Sequence, residues 1–285
     1  MEVSFQCRDG LCLRGEALGP ASGPAAVLLH GGGQTRLSWG ATASALAAGG
    51  RRSIAIDLRG HGDSDWSVDG DYLPPAFAAD VADVVSQLDR PPVLIGASLG
   101  GLASLLALAE HGAAAEGLVL VDVAHRYEPA GAQRIVDFMR ATPEGFADPA
   151  EAAAAVSRYL PHRQRSRRPA GIEPSLRLRD GRWHWHWDPR LLDASGPLLD
   201  RASAEAISRR LVEALSALRI PTMLVRGAIS DVVSDSIAEE FAALVPHARV
   251  VDVGGAAHMV AGDDNDLFTA AVVEFLDGIE AAQCR

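Results

Sequence analysis

Apolar residues run through the chain in two alternating rhythms. A continuous apolar run predicts a buried strand at Ala25–Leu29, and largely apolar segments predict strands at Ser53–Asp57, Val93–Ala97, Leu118–Val123, Thr222–Val225 and Arg249–Val253. Between them apolar residues recur every three or four positions, which predicts helices over Ser38–Ala48, Ala76–Leu88, Leu99–His111, Ser234–Leu244 and Leu267–Ile279. In Ala76–Leu88 the apolar stripe is Phe77, Val81, Val84, Val85 and Leu88. Two strand-like pieces, Ser4–Arg8 and Leu11–Ala17, open the chain around Asp9-Gly10. Read as a two-residue hairpin turn, Asp9-Gly10 pairs Arg8 with Leu11 and sets Cys7 opposite Cys12. Strands buried on both faces, alternating with helices, predict an α/β fold with a mostly parallel sheet covered on both sides.

After Val123 the rhythm breaks. Arg126–Leu215 holds helix-like pieces, several prolines, an arginine cluster (Arg163, Arg165, Arg167, Arg168) and the run Trp183-His184-Trp185-His186-Trp187. The alternation then resumes, so the expected organisation is one α/β domain, residues 1–124 and 217–285, with a largely helical insertion at 125–216.

Composition narrows the chemistry. The chain has 285 residues, 48% of them hydrophobic, enough for a core of ordinary size. Its net charge of −11 argues against a nucleic-acid partner or an anionic membrane. Every basic residue is arginine; there is no lysine. That removes phosphate loops of the lysine type, pyridoxal Schiff bases and lysine aldolase chemistry, all of which need an amine. Three cysteines (Cys7, Cys12, Cys284) are too few for a disulfide scaffold or a four-thiolate zinc site. The opening residues resemble no secretory signal, and no apolar run approaches the ~18 residues of a membrane span. A cytoplasmic protein is expected.

The chemistry is concentrated at turns that follow strands. Gly96-Ala97-Ser98-Leu99-Gly100 fits G-x-S-x-G directly after a strand and before a helix, which predicts a sharp turn presenting Ser98 as a nucleophile. The Leu99 N–H then lies beside any oxyanion that forms. His30-Gly31-Gly32-Gly33 follows the third strand and can supply a second oxyanion donor, Gly32 first and Gly33 second. A hydroxyl nucleophile needs a base, and the base needs an orienting carboxylate. His258, in the glycine-rich loop after the last strand, is the expected base; His61 and His125 are outside choices. Asp231, in the loop after Thr222–Val225, is the preferred acid, and Asp122 competes with it.

Together these motifs, with Asp57-Leu58-Arg59-Gly60-His61-Gly62-Asp63-Ser64, resemble the α/β-hydrolase fold family over nearly the whole length. The order Ser, Asp, His matches that family. The resemblance implies a serine hydrolase with no metal or organic cofactor, acting on a small-molecule acyl substrate, and it makes the insertion a cap. It implies that the Asp57–Ser64 loop braces the site. A serine at the elbow argues against the family's epoxide hydrolases and haloalkane dehalogenases, which use aspartate there. Ester, lactone, thioester or C–C hydrolysis and perhydrolysis all stay open, as does a receptor built on the same fold. Trp183, Trp185 and Trp187 lie on one face if their segment is extended. They then line an apolar substrate pocket or anchor the cap. His184-Trp185-His186 has no accompanying metal-ligand pattern.

Overall fold

A computed structural model describes residues 1–159, 172–194, 200–254 and 266–283. Eight strands form the main sheet: β1 (Glu2–Gln6), β2 (Cys12–Leu18), β3 (Ala25–Leu29), β4 (Arg52–Ile56), β5 (Val93–Ala97), β6 (Gly117–Val121), β9 (Thr222–Gly227) and β10 (Arg249–Val253). Their spatial order is β1-β2-β4-β3-β5-β6-β9-β10, antiparallel in the β1–β2 and β2–β4 pairs and parallel elsewhere. The continuous apolar runs became the central strands because both faces of the sheet are covered. Val27, Leu29, Ile54 and Ile56 pack on one side with helices α2 (Pro74–Ser86) and α3 (Leu99–Glu110). Ala26, Leu28 and Ala55 face the other side, under α1 (Gly40–Ala48) and the C-terminal helix α9 (Asp266–Gln283).

The opening hairpin differs from expectation by one residue. Gln6 pairs with Cys12, and Cys7 faces Leu11 through a 2.8 Å bond from the Cys7 N–H to the Leu11 carbonyl. Gly10 sits at φ +91°, so the loop is Arg8-Asp9-Gly10, with a left-handed glycine closing it. Cys7 and Cys12 are therefore not opposite each other; both are buried free thiols.

Between β6 and β9, adjacent and parallel in the sheet, the chain leaves it. This intervening block holds α4 (Pro129–Arg140), α5 (Pro149–Tyr159), a two-stranded ribbon of β7 (Leu176–Arg179) and β8 (Arg182–Trp185), the short α6 (Leu191–Ala194) and α7 (Arg201–Ala217). α7 packs beside α3 and ties to it through Arg210–Glu110. The Arg163–Arg168 cluster lies outside the described residues. The 234–244 helix is α8 (Asp235–Leu244). Among the described residues, no helix is long and apolar enough to cross a membrane.

Candidate active site

All the parallel strands end at one edge of the sheet, so the loops that follow them gather there. Ser98 follows β5 at φ +45°, ψ −111°, a conformation costly for a residue with a side chain. Two hydrogen bonds hold it: its N–H donates to the Val121 carbonyl at 2.9 Å, and the Leu102 N–H donates to its carbonyl at 2.9 Å. The turn is this tight because its flanks are glycines. A Cβ on Gly100 would stand 2.3 Å from the Leu29 carbonyl oxygen, and one on Gly96 would stand 2.4 Å from the Gly101 nitrogen. Leu99 opens α3, so its N–H is one of the helix's orphan donors.

Opposite the elbow, Gly31–Gln34 forms a reverse turn closed by the Gln34 N–H and the Gly31 carbonyl at 3.1 Å, with Gly33 at φ +75°. The turn touches the nucleophile, since a Cβ on Gly31 would lie 3.4 Å from that of Ser98. The Gly31 N–H donates to Gln34 Oε1 at 3.0 Å, and the Gly33 N–H donates to His61 Nε2 at 3.0 Å. Among the described residues the Gly32 N–H has no acceptor, and a Cβ on Gly32 would meet nothing within 4 Å. Of the two glycines singled out in the sequence, Gly32 therefore faces open space with a free donor, while the Gly33 donor is engaged inside the protein.

The two candidate acids occupy different environments. Asp122 directly follows β6, whose Val121 pairs with Ala97, so Asp122 is the next neighbour of Ser98 across the sheet. It is buried, at φ +52°, and its Oδ2 accepts the Ser230 hydroxyl at 2.7 Å. Asp231 stands on the loop beyond β9 and ion-pairs with Arg134 of α4, its side chain 35% exposed. His258 lies outside the described residues. His125 bonds Glu240 Oε2 at 2.8 Å, on the flank of α8.

A model of the alpha/beta hydrolase family matches residues 26–271. The chain belongs to the alpha/beta hydrolase family; it is a hydrolase. It is 32% identical over 273 residues to esterase Rv0045c of Mycobacterium tuberculosis, covering 90% of this chain and 83% of that protein. It is 30% identical over 266 residues to the mouse sn-1-specific diacylglycerol lipase ABHD11, covering 90% and 82%. In fold it resembles E-2-(acetamidomethylene)succinate hydrolase, with a TM-score of 0.83 and 24% identity over 97% of this chain and 100% of that one.

In this hydrolase the loops behind the elbow are braced by buried polar groups. Asp57 accepts the Arg36 N–H at 2.7 Å and the Asp63 N–H at 3.0 Å, and pairs with the Arg36 guanidinium. Arg59 is clamped by Asp80 at 2.5 and 2.6 Å and by Asp9 at 2.8 Å. Three histidines, His30, His61 and His186, form a buried row with ring centroids 5.0 and 5.9 Å apart. Each ring receives a backbone N–H on one nitrogen, so that nitrogen must be unprotonated. Leu58 donates to His30 Nε2, Gly33 to His61 Nε2, and Gly62 to His186 Nδ1, at 3.0, 3.0 and 2.7 Å. The other nitrogens donate to the carbonyls of Gly31 (2.8 Å), Arg59 (2.9 Å) and Gly33 (3.3 Å). Burial lowers the pKa of His30 to about 4 and of His61 to about 3, and lowers that of His186 as well. His61, with both ring nitrogens engaged, has no free nitrogen to serve Ser98.

The tryptophan run resolves into layers. Trp187 is buried with its ring 3.4 Å from where a Cβ on Gly33 would stand, and the Met139 methyl of α4 is equally close. Trp185 stacks on Trp187 at 5.0 Å and meets Phe146 edge-on at 5.1 Å. Trp183 is half-buried and pairs with the Phe146 backbone. Alternating residues play a part that the aromatic pattern hid. His186 holds the glycine turn, and Asp188 is buried, accepting the Tyr72 hydroxyl at 2.6 Å while its N–H donates to the Gly60 carbonyl at 2.9 Å. An acid two residues past a histidine, before proline, was the available signal; its partners are too distant in sequence to be guessed.

Proposed function

We propose that this hydrolase is a serine esterase acting on small to medium carboxylic esters through a Ser98–His258–Asp122 triad. The observation that carries the reading is Ser98, held in a strained turn at the start of α3 and in contact with the Gly31–Gln34 turn. Likeness to an esterase and a lipase supports ester substrates. The Ser98 hydroxyl adds to the ester carbonyl carbon as His258 takes its proton, and the two N–H groups stabilise the oxyanion. Collapse of this adduct breaks the C–O bond, and the alcohol leaves with the proton from His258. Water, deprotonated by the same ring, then adds to the acyl-enzyme; Ser98 regains its proton and the carboxylic acid departs.

The choice of acid departs from the sequence preference for Asp231. An orienting carboxylate must keep its charge for the imidazolium. Asp122 is buried, directly follows β6 beside Ser98 and is oriented by the Ser230 hydroxyl, whereas Asp231 is partly exposed on the loop beyond β9. Trp187 and Met139, against the oxyanion turn, shape the pocket for the substrate's apolar part. Trp185 supports Trp187 from behind, and Trp183 forms the outer layer of this cap.

A panel of p-nitrophenyl esters of increasing chain length, assayed beside fluorophosphonate labelling and peptide mapping, tests the reading. Label is expected on Ser98 alone, and Ser98→Ala should lower kcat by ~10⁶ in a folded protein. Label on another serine, or no ester turnover by the parent enzyme, would overturn it.

A further inference from the structure

We infer that His186 is a positioning residue that couples the seating of the intervening block to the shape of the oxyanion turn. The inference rests on the esterase reading. Its observation is separate: one imidazole bridges two loops that belong to different strands. His186 Nδ1 accepts the Gly62 N–H at 2.7 Å, from the loop after β4, and Nε2–H donates to the Gly33 carbonyl at 3.3 Å, in the turn after β3.

Gly33 is the residue whose positive φ makes the 31–34 turn. Glycine has little conformational preference of its own, so a turn of three consecutive glycines must be fixed from outside. Two histidines do so from opposite ends of Gly33. His61, from the core, accepts its N–H; His186, from the intervening block, takes its carbonyl. With both ends held, the preceding Gly31–Gly32 peptide, whose N–H has no acceptor among the described residues, is fixed in the turn that touches Ser98. The ring is 1% exposed and flanked by His61 and Trp187 at 5.9 and 5.3 Å, so water is excluded as a substitute partner. Neighbouring bonds from the same strap keep the ring in place: the His186 N–H donates to the Ser175 carbonyl at 3.1 Å, the Asp188 N–H to the Gly60 carbonyl at 2.9 Å, and Arg177 reaches the Gly62 carbonyl at 3.1 Å. The donor that stabilises charge on the substrate is thus held in place through a side chain that touches neither substrate nor Ser98.

Three substitutions separate positioning from simple support. In His186→Asn the shorter amide stands where Nδ1 stands, keeping the Gly62 bond and losing the Gly33 bond. In His186→Gln the amide reaches the place of Nε2 and keeps the Gly33 bond. His186→Leu loses both. Because a misplaced oxyanion donor acts on the transition state, kcat should fall ~100-fold in the Leu and Asn proteins with KM within about twofold, and Gln should recover about tenfold of it. A supporting role alone predicts that activity follows Tm, with Asn and Gln equivalent. A folded His186→Asn enzyme with kcat within twofold of the parent would overturn the inference. Amide exchange at Gly33 gives a readout that needs no substrate, because its N–H bonds His61 rather than His186. It should exchange about tenfold faster in His186→Asn; unchanged exchange overturns the coupling. If the parent enzyme cleaves no ester, the esterase reading fails while the exchange experiment still decides the clamp.

Discussion

The central strands and the seam where the intervening block meets the sheet edge are both buried, yet they are held by opposite kinds of force. In the strands, Val27, Leu28, Leu29, Ile54 and Ile56 are almost wholly inaccessible and interlock by area. Such contacts are non-directional, and a residue of similar volume can replace another at modest cost. In the seam, His30, His61, His186, Asp57 and Asp188 are equally inaccessible, but each is there because a named donor meets a named acceptor. Removing one partner there leaves a buried polar group unpaired, which costs more than the bond itself contributed. The sheet thus provides a tolerant platform, and the seam converts it into a site with fixed directions. Function concentrates where the tolerance ends.

The sharpest way to break this contrast is at the acid. Asp122→Asn should lower kcat by ~10⁴ with the fold intact, because the imidazole would lose the partner that sets its tautomer. Asp231→Asn, which removes only a partly exposed pair with Arg134, should stay within about tenfold of the parent. Steady-state kinetics on both proteins decides between them; the reverse order would return the role to Asp231.

A second test uses pH. An unfolded histidine titrates near 6.5, whereas His30 and His61 titrate at about 4 and about 3 in the fold. Below 6.5 the unfolded chain binds more protons than the native one, so acid favours unfolding. The stabilisation is complete above pH 6.5 and is lost as pH falls toward 4 and 3, by up to about 1.4 kcal/mol per pH unit for each ring. Arg36 and Arg177 push in the same direction at His30 and His186, while Asp57 opposes it weakly at His61. Urea midpoints should therefore drop between pH 7 and 5, before most carboxylates titrate; a flat profile there would mean the seam is not held as described.

The smallest effect is expected in the platform. Ile54→Val should cost about 1 kcal/mol in urea denaturation and leave kcat unchanged. A change in kcat would show that packing in the strands is transmitted to the site.

The same contrast explains what could be read in advance. β3 and β5 lie where their apolar runs predicted, at Ala25–Leu29 and Val93–Ala97, because burial on both faces leaves a local signature; β10, at Arg249–Val253 as predicted, is a largely exposed edge strand. The elbow was legible for the same reason, being a glycine-flanked serine between such a strand and a helix. The hairpin slipped by one residue because the choice between a two- and a three-residue loop depends on Gly10 adopting positive φ, which the letters Asp9-Gly10 do not decide. Ser230 holding Asp122 and His186 holding Gly33 join residues 108 and 153 positions apart. No periodicity or spacing reports a bond of that kind. The tryptophans drew attention in their segment, while the residues that dock it are the histidine and aspartate between and after them.

The strand order also has a consequence for how the chain is made. The first six strands of the main sheet, β1 to β6, are contiguous in space and complete once Val121 has been synthesised. Part of one face of that partial sheet, bearing Leu28, Ile95 and Val119 beside α1, waits for α9, whose Phe268, Val272 and Leu276 complete its cover. Contacts between residues far apart in sequence seal the arrangement, with Trp39 against Phe268 and Arg51 bound to Asp277 at 2.6 Å. A nascent chain of this protein therefore carries an apolar face only partly covered, by α1, through the translation of the intervening block. Apolar surface exposed for such an interval favours aggregation during folding.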